Sequence, residues 1–244
     1  MNHNTIVRGL QILTHVGLVA GFFIQPSLLL FSVLIYWFIG VMGINIGYHR
    51  LISHRSFETY KPIEWFLALV GCVTTVGSPL AWSALHRQHH QHTETENDPH
   101  SPHQIGWWRA WFGFWKIQNI NVMLARDLRK IPFYQWTHKY YLLIIVSYVA
   151  IIGLFAGPVW IIYAYAVPAV FVLHSTSAII VIAHIHGYKT HKVDDESRNS
   201  WIASLITLGE GWHNNHHANS RNWKQGEKWW ELDPPAWIIG AIKK

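Results

Sequence analysis

The sequence predicts an all-α integral membrane protein whose four transmembrane helices form two hairpins. Composition, apolar runs and the placement of charge carry that prediction. Half of the 244 residues are hydrophobic, only 13% are charged, and 15 are tryptophan. This balance suits a chain solvated by lipid better than a soluble enzyme of 28.3 kDa. One crossing takes about 20 apolar residues in succession.

The first run covers residues 10–24 and the second 28–47, with only "QPS" as a tight turn between them. The third covers 141–155 and the fourth 159–183, separated by "AGP". A fifth run, "WFLALVGCVTTVGSPLAW" at 65–82, is interrupted by Gly77 and Pro79. It is expected to be a re-entrant or interfacial helix rather than a crossing. The N-terminal stretch has the basic residue and apolar run of a signal peptide, but no small-x-small cleavage motif follows. A retained first span is therefore expected. The single cysteine, Cys72, excludes an internal disulfide and a cysteine-based zinc site, and reads as a small buried apolar residue.

Charge sets the orientation. Neither tight turn holds a Lys or Arg, whereas residues 49–138 hold nine of the 19 and the tail from Gly187 holds eight. The positive-inside rule puts both segments, and the N-terminus with Arg8, in the cytoplasm. The chain is then a single domain, 1–244, whose segments 48–138 and 184–244 form one cytoplasmic cap. A pI near 9.4 reflects basic residues spread through loops. It fits attraction to anionic lipid headgroups, and no nucleic-acid partner is expected.

Histidine carries the chemistry. The chain has 18, and "HRQHHQH" alone packs four into residues 86–92. On an α-helix each residue advances about 100°, so His86, His89 and His90 share one face within reach of a common centre. The same spacing recurs in "HNNHH" as His213, His216 and His217. Random scattering would give about 0.1 such matches in the chain, and two are present. A third pair, His49 and His54 in "GYHRLISH", is weaker, since five residues on a helix place the two about 140° apart. Its weight comes from lying, like the others, at the cytoplasmic end of a span. Eight imidazoles exceed what one catalytic zinc takes, so two ions with about four ligands each are expected. All-imidazole shells suit iron, copper or zinc. A transporter would place such ligands mid-span, which these are not. The acidic "HTETEND" reads as a solvated turn.

"GYHRLISHRSF", "HRQHHQHTETENDPHSP" and "GEGWHNNHH" resemble the three histidine boxes of the membrane-bound fatty acid desaturases. The likeness runs from about Gly40 to Ile239, includes "HGYKTHKVDDESRNSW" and "WWELDP", and is strongest to the stearoyl-type Δ9 branch of bacteria and cyanobacteria. It implies a four-helix membrane stalk with a cytoplasmic helical cap holding two irons, O2 as co-substrate, and a saturated 16- or 18-carbon acyl chain as substrate. It also implies a ninth ligand after the last span, at His184 in "AHIHGYKT". His186 is then a neighbour or surface residue. His92, His100 and His103 match loop positions, and His3, His15, His138, His174 and His191 match no ligand. Trp82 and Thr176 match a hydrogen-bonding pair that shapes the kink of the acyl tunnel. Trp107, Trp108, Trp111 and Trp115 fit a girdle at the headgroup level.

The acyl carrier implied is a glycerolipid, with CoA second. The chain has no haem-binding, flavin or cysteine-rich iron–sulfur motif, so electrons must come from a separate donor on the basic cap. An acidic ferredoxin or cytochrome b5 would match its charge, and the branch resembled implies ferredoxin first. Hydroxylation or ketolation by the same boxes is the alternative outcome. One departure stands out: relatives carry an Asn four residues before the ninth histidine, where it holds a water on one iron. Here that position is Ile180, with Ser177 one turn away.

Overall fold

The computed structural model describes residues 3–112 and 120–244. Among them every regular element is helical, and extended pairing is confined to isolated bridges such as Tyr188 with Asn199. The first helix, α1, spans His3–Ile24, and a short turn at Pro26–Leu28 reverses the chain into α2, Leu29–Ile39. That turn is pinned by Gln25, whose N–H donates to the hydroxyl of Tyr163 at 2.7 Å.

Helix α2 runs unbroken into a π-helix, Gly40–Ser53. Its last bond goes from the N–H of His54 to the carbonyl of His49, 3.1 Å away. In this i→i+5 pattern, residues five apart stack instead of diverging. The π-helix packs tightly on α3, Lys61–Cys72. A Cβ on Gly43 would lie 2.7 Å from the backbone nitrogen of Gly71, and one on Gly71 would lie 2.2 Å from the ring of Tyr48. Cys72 is buried there, as its composition suggests.

The run at 65–82 is not one helix. Gly77, at φ +109°, turns the chain after α3. Ser78 then caps α4, Pro79–His92, by accepting from the N–H of Ala81 at 3.3 Å. Proline at the first helical position lacks the N–H that would otherwise be orphaned. Two short helices follow, α5 at Pro102–Ile105 and α6 at Trp107–Phe112. Next come α7, Pro132–Lys139, and α8, Tyr141–Phe155, bent by 69° at their junction. After Gly157, α9 at Pro158–Ile161, a π-helical turn at Ile162–Ala166 and α10 at Val167–Ile185 form one rod. Three short helices complete the chain: α11 at Trp201–Thr207, α12 at His213–Ala218 and α13 at Pro234–Ile242.

Among the described residues, three helices are long and apolar enough to cross a bilayer: His3–Ile24, Pro26–Ser53 and Pro158–Ile185. The bent pair α7–α8 makes a fourth candidate if taken as one span. The second helix extends past residue 47, so it carries His49 rather than stopping short of it. Phe23, Leu30, Leu154 and Phe155 remain exposed on these helices. Lipid tails are as apolar as leucine, so such side chains need no protein cover. Trp107 and Trp108 are exposed, Trp111 bonds His174 at 3.1 Å, and Trp115 lies outside the described residues.

Candidate metal centre

Nine histidines from four helical segments meet at one end of these rods in two groups. The first holds His49, His54, His86, His90 and His216, and the second His89, His184, His213 and His217. In each group the ligand nitrogens lie within 4.8 Å of one another. In the first, Nε2 of His216 approaches Nε2 of His49 and of His90 at 3.0 Å each. In the second, Nε2 of His213 lies 3.1 Å from Nε2 of His184.

The sharing differs from the simple helical expectation. His86, His89 and His90 do not serve one centre, because α4 runs between the two groups. His86 and His90, one turn apart, point to the first, while His89 points to the second. Helix α12 repeats this, giving His216 to the first group and His213 with His217 to the second. His49 and His54 share one group because the π-helix stacks residues five apart, with ring centroids at 4.9 Å. The 140° divergence of an α-helix does not apply to them.

Four carboxylates stand behind the rings. Nδ1 of His49 meets Glu210. Nδ1 of His89 is 3.0 Å from Asp98, Nδ1 of His184 is 3.1 Å from Glu94, and Nδ1 of His217 is 2.7 Å from Asp195. Each carboxylate accepts a hydrogen bond from Nδ1–H, fixes the tautomer and leaves Nε2 free to bind an ion. Nε2 of His217 is buried with no hydrogen-bond partner. An imidazole set backed in this way fits a transition-metal ion by its donor chemistry. Sequence reasoning missed all four acids. The "HTETEND" segment is not simply a solvated turn: Asp98 is buried and Glu94 reaches α10. The signal lay in acids flanking each box, without a spacing to pair them.

Burial shapes the electrostatics. Desolvation, helped by neighbouring imidazoles, lowers the pKa of His54, His86, His90, His213 and His216 well below the usual value. Burial takes His217 down to about 4 even though Asp195 opposes it. These rings stay neutral near pH 7, which is the form that binds metal. Burial alone would raise Glu210, but Arg50 and His49 hold it at about 2. Arg50 is buried between Glu210, 2.7 Å away, and Asp233, 2.9 Å away.

The histidine groups border a cavity. A chamber of ≈690 Å³ lies within the range of about 300–1,000 Å³ usual for small-molecule sites. It meets a second, apolar recess lined by His49, His86, His89 and His213. Trp82, Leu85, His100, Thr176 and Ile180 line both and form the junction. Trp82 stacks on His86 with centroids 4.7 Å apart. Thr176 donates to the carbonyl of Val172 at 3.0 Å, and among the described residues no hydrogen bond joins it to Trp82. The two therefore line the junction side by side, without the hydrogen bond that the resemblance implies.

The remaining histidines are placed elsewhere. His186 is exposed beyond the end of α10. His15 pairs with His174 at 3.1 Å, His138 bonds Ser78, and His191 bonds Glu227. His103 lies 3.0 Å from the carbonyl of His184, whereas His100 is buried against His89.

A family model described as "Fatty acid desaturase" matches residues 25–238. The chain is 36% identical over 234 residues to an sn-2 palmitoyl-lipid 9-desaturase of Nostoc sp. (strain 36), covering 93% of this chain and 82% of that one. It is 35% identical to an sn-1 stearoyl-lipid 9-desaturase of Anabaena variabilis, covering 83% and 75%. It is also 33% identical to the acyl-CoA 5-desaturase AL21 of Anemone leveillei, covering 99% and 76%. With histidine groups suited to metal beside an apolar chamber, and matches spanning nearly its whole length, the chain belongs to the fatty acid desaturase family and is an oxidoreductase of lipid metabolism.

Proposed function

We propose that this enzyme inserts a cis double bond at carbon 9 of a saturated 16- or 18-carbon chain carried on a glycerolipid. The observation that supports it most is the pair of carboxylate-backed histidine groups on the wall of the bent chamber. The lipid-linked 9-desaturases among the relatives favour position and carrier, with CoA as the second carrier.

In this reading His49, His54, His86, His90 and His216 hold one iron, and His89, His184, His213 and His217 hold the other. Bound iron supplies O2 activation and the one-electron steps that removal of hydrogen from an unactivated methylene requires. The protein's own residues do the positioning. Trp82 and Thr176 bend the chain at the junction, so that one pair of methylenes faces the imidazoles. Apolar walls exclude water, and the four acids keep Nε2 of their rings aimed inward.

Four crossings in two hairpins would place residues 48–138, 184–244 and both termini on the cytoplasmic side, as the Lys and Arg distribution supports. There the basic cap receives electrons from an acidic ferredoxin, with cytochrome b5 as the second donor. Expression in a bacterium followed by fatty-acid methyl ester analysis tests the reading. A new 9-monounsaturated species is expected, and Ala at any of the nine histidines should abolish it. A hydroxylated product would point to the other oxygen chemistry of such sites, and a bond at carbon 12 would refute the position.

A further inference from the structure

The second histidine group offers four imidazoles where its neighbour offers five. Of those four, only His89 and His213 line the apolar recess. The recess wall there also includes Ile180 and His100. Isoleucine has no polar side-chain atom. His100 is only 7% exposed, and its Nδ1 is buried without a hydrogen-bond partner. A buried polar atom left unpaired costs about 1–3 kcal/mol, so one beside an ion site asks for a ligand.

The position of His100 is tied to that of a metal-facing ring. Its backbone N–H donates to Oδ1 of Asp98 at 3.1 Å, and the same carboxylate accepts from Nδ1 of His89. The two rings stack with centroids 4.6 Å apart and planes 27° from parallel. Yet His100 shares a ligand-scale distance only with His89 and Asp98, not with the whole group. It therefore lies outside the four-histidine group but on the same recess wall as His89 and His213. Ser177 does not compete for this role, since its hydroxyl donates to the carbonyl of Leu173 at 3.2 Å. His186 is exposed.

We propose that His100, through Nδ1, hydrogen-bonds the small non-protein ligand, a water or hydroxide at rest, that completes the four-histidine ion on its chamber side. This rests on the reading of the two groups as iron sites. It makes His100 a positioning residue, acting on the ion through that ligand.

Azide binding to the full-length, iron-loaded ferric protein tests this, because azide takes the same open position and shows a visible charge-transfer band. His100→Ala is expected to weaken azide binding roughly tenfold, the loss of one hydrogen bond to a charged group. His100→Gln, which keeps a donor, should restore most of it, and His92→Ala should match the unmodified protein. Iron content should be equal in all four proteins. Unchanged azide affinity in a fully loaded His100→Ala variant overturns the proposal alone. Loss of iron from that variant also overturns it, since His100 would then be needed for the ion itself. An unmodified protein that binds no iron overturns the underlying reading instead.

Discussion

Glu94 holds His184 from ninety residues away in the chain, with Oε1 lying 3.1 Å from Nδ1. Its other oxygen accepts from the backbone N–H of Glu196 at 2.9 Å, so one carboxylate joins the α4 loop, α10 and the loop after it. Glu94→Ala frees the His184 ring to rotate and removes the acceptor that sets its tautomer. Iron affinity should fall by about 10- to 100-fold, read by competition with a chelator. Affinity equal to that of the unmodified protein would show that Glu94 merely ties loops together.

The metal-free protein should lose stability in mild acid. Burial keeps the rings of His54, His86, His90, His213 and His216 neutral below the usual histidine value of 6.5. The unfolded chain, with ordinary histidines, binds more protons than the folded one below that value. Stability is therefore whole above pH 6.5 and declines as the pH falls toward about 4, where folded His217 titrates. Each such histidine contributes about 1.4 kcal/mol per pH unit in that window. Thermal unfolding in detergent at pH 7.5, 6 and 5 checks this, and a flat profile would contradict it.

Arg50→Met should be more damaging than its distance from the chamber suggests. The guanidinium is buried against Glu210 and Asp233, so removing it strands two carboxylates. Breaking a buried ion pair from one side costs about 3–5 kcal/mol. Glu210 also steadies His49, so iron affinity should drop together with the melting temperature. A drop in only one of the two would separate the structural role from the ligand-holding one.

Gly71→Ala tests the contact between α3 and the π-helix. The added Cβ would lie 2.2 Å from the Tyr48 ring, next in sequence to His49. Overpacking costs about 1–3 kcal/mol when the backbone must shift. The shift falls on the segment that carries His49 and His54, so iron occupancy should decline as well. Stability and occupancy unchanged from the unmodified protein would show that Tyr48 simply swings aside.

What the sequence disclosed follows from the range of its signals. Apolar runs and the His-x-x-His-His repeat are local patterns, and α1, α2, α10 and the helical α4 and α12 follow from them. The partition of α4 and α12 between two centres was not legible, since a repeat fixes a helical face but not what stands opposite. The edge-on approach of His49 and His54 depends on the π-helix, which the i→i+5 bond reveals and residue type does not. The acids were hidden by sequence distance. Glu210 lies 161 positions from His49, and Asp195 lies 22 from His217, without a fixed spacing to mark either pair.

The division of α4 and α12 bears on how the protein fills. Neither helix belongs to one centre, so the first ion to arrive stiffens ligands that the second has yet to use. The ordering entropy is spent mainly on the first event, and the second binds a framework already set. Half-filled molecules should consequently be scarce at equilibrium, and iron uptake should follow a steep, cooperative curve. An enzyme built this way passes almost directly from empty to complete, and seldom meets oxygen with a single ion in place.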